Sequence, residues 1–478
     1  MIRHRFAKII ATLGPSSQTR EQIFSLHQAG ADVFRINFSY GTDQDKIDLI
    51  ARIRDVEADN GTPLAIIADL QGPKLRIGNF QNQRIGLEEG QSFDLDQDKA
   101  LGSAQRVSFL EPWAYASVET NSLLELDDGR VTLRVVEANL FRIKTIVESG
   151  GHLSNGKAIS IPNLPKSSRV LSDRDQNDLA LALAHGVDWV SASIGNNPNN
   201  AQELREIITT RGDNHAGLMI KIDTRESVDA FDHLVQIADA IHLARGDIGT
   251  ALPVQEIPSL QKTLVAKARD WARPVVVAGQ MLDSMVNAPA PTRAEASDVA
   301  TAVFDGSDAV TLSAETAIGD YPVEAVEMMD RVLITAEADE GLSKGFGNFV
   351  ATTRNASIGA AIASAATETA KTLNCSAIVC NTSSGTTARR VARTRPSCPI
   401  LCLSDNINTV RKMTLVWGTR SVLSNKLKDW KDIVITAEKL SKKAGMVEKG
   451  DTIAVTAGMP LNQSGTTNIL RVVEIDCN

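Results

Sequence analysis

Several features that would direct a functional reading are missing from this chain. It has no basic block longer than a few residues, and its formal net charge is -8 over 478 residues. That balance excludes nucleic acid as a first choice of partner. No apolar run approaches the ~18 residues needed to span a bilayer, so no membrane partner is expected. The N-terminus, Met1–Gly14, is basic and then apolar. It lacks a small-residue cleavage site and its apolar part is only strand length, which points to a cytoplasmic protein. Cysteine is scarce. Cys375, Cys380, Cys398, Cys402 and Cys477 all lie in the last quarter, and none forms a C-x-x-C pair. Buried free thiols are expected rather than metal or redox roles.

What is present is the composition of a soluble globular protein, 43% hydrophobic and 23% charged. A chain of this length divides into roughly two to four domains. The stretch Gly217–Gly249 organises the reading. It holds two apolar runs that end in charge: Leu218–Ile222 delivers Lys221 and Asp223, and Ala240–Ala244 delivers Arg245, Gly246 and Asp247. Two carboxylates at neighbouring strand ends can hold Mg²⁺ or Mn²⁺ and leave positions open for substrate. An adjacent lysine can neutralise a transferring phosphoryl group. A structural ion-pair cluster is the alternative.

The rest of the chain supplies a frame. Strand-length runs at Lys8–Leu13, Val33–Phe38 and Leu64–Ala68 alternate with amphipathic helical stretches. From about Ile77 to Ser168 the segments become short, alternating and turn-rich, with a hairpin signal at Asp128-Gly129. Alternation resumes with a helix capped by Ser172 and strands at Asp188–Ser193, Leu218–Ile222, Ala240–Ala244, Pro274–Ala278 and Asp308–Leu312. The last helix of this series is Pro322–Ala336. Eight βα units fit a (β/α)₈ TIM barrel better than an open sheet. The fold class is therefore α/β: a barrel over 1–73 and 169–340, an inserted β-rich lid over 74–168, and a C-terminal α/β domain over 341–478. Gly341–Asn355 reads as a linker. In the last domain, helices are expected at Ala356–Leu373, Thr387–Arg393 and Asn408–Val416, and strands at Ala377–Cys380, Pro399–Leu403, Thr452–Thr456 and Ile469–Ile475.

Three further motifs carry candidate chemistry. Asp69–Arg76 brings Asp69, Lys74 and Arg76 beside Gly72-Pro73, and Arg35 and Arg76 could face phosphates. The loop Thr382, Ser383, Ser384, Gly385, Thr386, Thr387 lies between a strand and a helix, which suits a phosphate cradle. A ligand-free N-cap loop is its alternative, although one cap needs only one hydroxyl. Thr292-x-x-Glu295 is a capping box, which by itself accounts for both residue types.

Lys8–Pro15 (KIIATLGP), Arg35–Ser39 (RINFS), Asp69–Arg76 (DLQGPKLR), Leu126–Gly129 (LDDG), Ala244–Gly249 (ARGDIG), Gln280–Met285 (QMLDSM), Pro291–Glu295 (PTRAE) and Ser313–Ala317 (SAETA) follow one another in this order. The ordered set resembles pyruvate kinase along nearly the whole chain. The resemblance implies phosphoryl transfer from phosphoenolpyruvate to ADP with Mg²⁺ or Mn²⁺, giving pyruvate and ATP. It implies that Lys221 stabilises the moving phosphoryl group with Arg35, and that Asp223 and Asp247 hold the metal. Gly246, Asp247, Ser193 and Gly279 would contact substrate. Arg35, Arg76 and Lys157 would meet nucleotide phosphates, with Thr12, Pro15 and Tyr40 near the adenine. Asn37, Ser39, Asp69 and Leu70 match the monovalent-cation region, where Leu70 replaces a hydroxyl and Lys74 a glutamate, so K⁺ is not expected to be required. A phosphorylated small-molecule effector at Thr382–Thr387, with Gly458–Gly465 as a facing loop, and a homotetramer are also implied.

Some positions depart from the family pattern: Asp223 for glutamate, Asn196 for arginine, Gly279 for threonine, and Ala158 for the glycine after the lid lysine. These departures keep a weakly active or non-catalytic regulatory paralogue as the alternative. A metal-dependent lyase acting on enolpyruvate-like acids is a more distant rival.

Overall fold

The structure, a computed structural model, describes residues 3–72, 75–127, 129–161, 170–195, 197–211, 215–339, 356–461 and 466–476. Lys74, Asp128, Asn196, Cys477, the linker Gly341–Asn355 and Asn462–Gly465 of the facing loop lie outside the described residues.

Eight parallel strands close into a barrel: Lys8–Leu13, Val33–Asn37, Ala65–Asp69, Trp189–Ser193, Gly217–Ile222, Ala240–Ala244, Val275–Ala278 and Ala309–Leu312. Each strand lies within one residue of its expected ends. Nearly every residue in them is buried, because helices cover the outside and side chains fill the inside. The interior is packed by Ile10, Val33, Ala65, Ile67, Trp189 and Met219, among others. Capping boxes fix the starts of several outer helices: Thr19 with Gln22, Thr42 with Asp45, and Thr292 with Glu295. In each, the cap hydroxyl accepts an otherwise unpaired backbone N–H and the third residue returns the bond.

Between the third and fourth strands the chain builds a separate β unit. It comprises a six-stranded and a two-stranded sheet around its own core, which includes Phe93, Leu124, Leu133 and Val147. Leu123–Leu126 pairs antiparallel with Val131–Ala138 across the expected turn. Arg76 and Ala158, near the two ends of the unit, form an antiparallel bridge.

The C-terminal domain is a five-stranded sheet in the order Thr419–Leu423, Ile400–Ser404, Ala377–Asn381, Thr452–Gly458, Thr467–Glu474, with the last strand antiparallel. Two of its elements are absent from the sequence reading. Thr419–Leu423 is a short edge strand with few apolar residues. The helix Trp430–Lys443 carries Ile433, Val434, Ile435 and Thr436 in succession, a β-branched run that masks its helical period. The helix expected to reach Val416 ends at Met413. There the Thr414 hydroxyl donates to the Arg411 carbonyl at 2.8 Å, and Leu415 leaves the helix to join the barrel's interior cluster. The last strand starts at Thr467, two residues before the expected Ile469. Cys375, Cys380, Cys398 and Cys402 are buried free thiols. Among the described residues no helix is long and apolar enough to cross a membrane.

Candidate active site

The C-terminal ends of the barrel strands bring the central residues together. Lys221, near the end of the fifth strand, is buried, with its ammonium 3.3 Å from Oδ1 of Asp69 at the end of the third strand. Oδ2 of the same carboxylate accepts Nε of Arg35 at 2.9 Å and also pairs with its Nη2. Arg35 Nη1 donates to Thr12 Oγ1 at 3.0 Å, and the Thr12 hydroxyl donates on to the Leu312 carbonyl at 2.8 Å. The first, second, third, fifth and eighth strands are thereby joined in one polar layer over the apolar interior.

The electrostatics follow from this packing. Burial acts to lower the Lys221 pKa, but Asp69, Asp247 and Asp223 outweigh it and hold the ammonium above its ordinary value. Burial would raise the Asp69 carboxyl. Lys221 and Arg35 overcome that and keep it below the usual carboxylate range. One layer in, His242 is pushed down to about 3, chiefly by burial. It is therefore a neutral imidazole, with Nδ1 3.0 Å from Ser191 Oγ.

Asp223 and Asp247 leave the ends of the fifth and sixth strands, both near enough to influence Lys221. The Ser193 hydroxyl, which itself accepts the Gly195 N–H at 3.1 Å, donates to Asp223 Oδ1 at 3.1 Å. Ser193 thus orients a carboxylate, a role the sequence does not disclose. Among the described residues no group of three or more His, Cys, Asp or Glu side chains could hold a metal by itself. Two hard oxygen donors beside a cation do suit Mg²⁺ or Mn²⁺, which keeps several water or substrate ligands. The donor set fits the ion.

Gly246 and Asp247 lie in the first turn of the helix Arg245–Ala251, where backbone N–H groups lack intrahelical acceptors. Arg245 fixes this turn. Its guanidinium forks onto Asp298 at 2.6 and 2.7 Å and donates to the Gly279 carbonyl at 2.7 Å. Gly279 has φ +105°, and a Cβ there would stand 2.9 Å from the Gly246 nitrogen. The backbone conformation at this position therefore favours glycine over a residue with a side chain. Gly72 is similar: φ is +71°, and a Cβ would meet that of Ser193 at 2.9 Å.

Other candidate residues lie farther out. Arg76 Nη1 donates to the Gly156 carbonyl at 2.7 Å, and Lys157 pairs with Asp127 at 2.7 Å. Both bonds are internal to the lid, so these side chains are not bonded to the Lys221 centre. Pro15 and Tyr40 are exposed beside the first two strands. Asn37 Oδ1 accepts the Ser39 N–H at 3.0 Å, and Leu70 is buried in the core. Glu295 and Glu315, from the two remaining motifs, brace loops. Glu295 accepts from Ser284 and Thr292, and Glu315 from the N–H groups of Leu282 and Ser313.

In the C-terminal domain, Thr382, Ser383, Ser384, Thr386 and Thr387 line a pocket with Asp405. Thr382 Oγ1 accepts the Gly385 N–H at 3.1 Å, Ser384 bonds Thr386 at 2.9 Å, and Thr387 bonds Thr467 at 2.6 Å. Those internal bonds account for most of the hydroxyls, so their number alone no longer argues for a ligand. The pocket does.

Comparison with known proteins agrees with this geometry. Residues 4–326 match the family described as pyruvate kinase, barrel domain, and residues 360–473 match pyruvate kinase, alpha/beta domain. A protein named pyruvate kinase from Methylorubrum extorquens is 38% identical, with 99% of this chain and 98% of that protein covered. One from Clostridium acetobutylicum is 34% identical, covering 98% and 99%. Another from Geobacillus stearothermophilus is 35% identical, covering 98% of this chain and 80% of that protein. With both family matches in chain order and relatives of this name matched over nearly the whole sequence, the chain belongs to the pyruvate kinase family.

Proposed function

We propose that this protein transfers the phosphoryl group of phosphoenolpyruvate to ADP, giving pyruvate and ATP. The observation that carries the reading is the buried Lys221 ammonium at a barrel strand end, facing Asp69, Asp223 and Asp247. Phosphoryl transfer asks a protein for positioning and charge stabilisation rather than covalent chemistry. A charged lysine fixed in a low-dielectric site supplies this without reorganising during the reaction.

In this reading Lys221 meets the equatorial oxygens of the moving phosphoryl group, and Arg35 leaves part of its hold on Asp69 to meet the nucleotide phosphates. The N–H groups of Gly246 and Asp247 take the substrate carboxylate. Arg76 and Lys157 close on the nucleotide when the lid descends, with Thr12, Pro15 and Tyr40 around the base. Asp223 and Asp247 would hold Mg²⁺ or Mn²⁺, and Ser193 orients the first of them. The bound ion would supply Lewis-acid polarisation of phosphoryl and carboxylate oxygens. Once the phosphoryl group has left, the enolate takes a proton at carbon to become pyruvate.

The finer assignments follow the same line. K⁺ is not required, with Lys74 supplying the charge in the region of Asn37, Ser39, Asp69 and Leu70. The hydroxyl-lined pocket of the C-terminal domain takes a phosphorylated effector. The protein works in the cytoplasm as a homotetramer.

A coupled assay for ATP formation from phosphoenolpyruvate and ADP, with Mg²⁺ and without K⁺, tests the reading. Turnover that falls about 10²–10³-fold in Lys221→Met is expected. No turnover across metals and effectors would overturn it in favour of a regulatory paralogue, and pyruvate formed without ATP would indicate a lyase.

A further inference from the structure

The C-terminal domain meets the barrel at the end opposite Lys221. Leu415 joins the barrel's interior cluster, and Trp417 stacks on Phe6 with ring centroids 4.6 Å apart. Arg395 Nη2 lies 3.1 Å from Asp308, which immediately precedes the eighth strand. Beside this contact is a narrow cleft. Its walls carry Arg269 and Arg273 from the barrel, Arg389, Arg393 and Arg395 from the C-terminal domain, and Asp308.

Five guanidinium groups therefore share this wall with one carboxylate, and that carboxylate is already engaged. Besides Arg395, Asp308 accepts the backbone N–H groups of Val275 and Trp417, each at 3.1 Å. Asp239 stands 4.0 Å from Arg273 but is held by Arg205 at 2.5 Å. Asp270 faces Arg269 and Arg393 from the same helix end. Bonds to carbonyls orient a guanidinium without neutralising it. Arg393 Nη1 reaches the Asp270 carbonyl at 3.0 Å, and Arg273 reaches those of Val235 and Gln236. Arg395 is 7% exposed, and its Nε is buried with no hydrogen-bond partner among the described residues. Burial first, then Arg395, pushes Arg269 down to about 9. Burial and Arg389 push Arg273 to about 10. Both remain cationic at neutral pH, so the cleft keeps its positive charge.

Buried like charges held together across a domain boundary are costly unless an anion joins them. Forked donors arriving from two domains match the several oxygens of a tetrahedral oxyanion better than a planar carboxylate. We propose that this cleft binds a single tetrahedral oxyanion, either inorganic phosphate or the phosphoryl group of a phosphate monoester, and that the bound anion fastens the C-terminal domain to the barrel. The cleft is separate from the hydroxyl-lined pocket, but one side chain touches both surroundings. Arg389 sits on the helix Thr386–Ala392, and its Nη2 lies 3.3 Å from Thr386 Oγ1. Occupancy of the cleft is thereby relayed to the Thr382–Thr387 loop.

The test uses the full chain and reads binding and stability, so it is independent of the catalytic reading. Thermal unfolding and calorimetric titration are run with inorganic phosphate, with glycerol phosphate, and with potassium chloride at matched ionic strength. The parent is compared with Arg393→Gln and with Arg273→Gln, a half-buried position that decides the matter if the first variant does not fold. A saturable rise in Tm is expected, with binding weakened at least about 10-fold in the variants, since each removes a charge-assisted contact. If phosphate alone suffices, free phosphate is the ligand. If only glycerol phosphate acts, and acts less in the variants, the ligand is a monoester. A shift equal to that of chloride, or one unchanged in the variants, overturns the proposal.

Discussion

The carboxylate of Asp69 lies 3.3 Å from the Lys221 ammonium, and its other oxygen is taken by Arg35. One aspartate is thus counter-ion to both cations of the proposed phosphoryl-transfer centre. Lys221→Met removes one cation and leaves Asp69 paired with Arg35, so the fold is expected to survive. The rate should fall about 10²–10³-fold, the usual scale for losing one preorganised electrostatic stabiliser, with KM for phosphoenolpyruvate changing much less. Steady-state kinetics with circular dichroism of the variant check this. A kcat within a few-fold of the parent would remove Lys221 from the mechanism.

Gly279→Thr restores the residue usual in the family, yet it is expected to harm this protein. The backbone there has φ +105°, and the new Cβ would press on the Gly246 nitrogen at 2.9 Å. Strain and the displaced substrate-binding turn should cost about 1–3 kcal/mol of stability and lower kcat/KM. Unfolding curves and kinetics read both effects. A faster, equally stable variant would show that the missing hydroxyl limits this chain after all.

Activity in Mg²⁺ with tetramethylammonium as the only monovalent cation should match activity with K⁺. The Leu70 side chain is buried in the core and supplies no oxygen to a monovalent ion. Lys74→Glu should create a K⁺ requirement. The measurement is initial rate against K⁺ concentration, and a parent that needs K⁺ would reject the idea.

Two groups at the barrel's N-terminal end make stability rise with pH in two separate windows. Burial tends to raise Asp32, but Arg5 and Lys8 hold its carboxyl well below the ordinary value. Its contribution is full above about pH 4, the unfolded value, and is lost as pH falls through the depressed folded value. Asp32→Asn breaks its pairing with Arg5 at 2.8 Å. It should cost about 3 kcal/mol at pH 7, with the difference narrowing below about pH 4. Lys8 is lowered to about 8, mainly by burial. The unfolded chain binds the extra proton between about pH 8 and 10.4, so this residue makes stability rise with pH across that window. Urea unfolding from pH 3 to 10 tests both windows, with stability rising with pH in each.

Asp308→Ala should loosen the seat of the C-terminal domain. The carboxylate meets Arg395 at 3.1 Å, and both side chains are almost fully buried. Removing one member leaves an uncompensated charge and two N–H groups without their acceptor, at a cost of about 3–5 kcal/mol. Differential scanning calorimetry is expected to show the C-terminal domain melting at lower temperature. An unchanged trace would mean that apolar packing alone holds the interface.

Much of this was legible beforehand. The eight barrel strands were visible because strands buried on both faces are nearly continuous apolar runs, and their C-terminal charges named Lys221, Asp223 and Asp247. The capping box at Thr292 was legible for the same local reason. Less visible was Trp430–Lys443, where residue type and helical period disagree. Nor could one sequence show that the Ser193 hydroxyl orients Asp223 or that Thr387 is occupied by Thr467, since such pairs are distant along the chain.

Local pattern by itself determined the architecture, the lid's place after the third strand and the residues carrying charge to the strand ends. Periodicity and chain order are properties of neighbouring residues, and a sequence displays them directly. Only the tertiary structure decided which charges meet. It paired Asp69 with Lys221 across 152 residues, required glycine at 279 because the Gly246 backbone lies against it, and gathered five arginines from two domains around one cleft. Those relationships depend on distances closed by folding, and no local spacing encodes them.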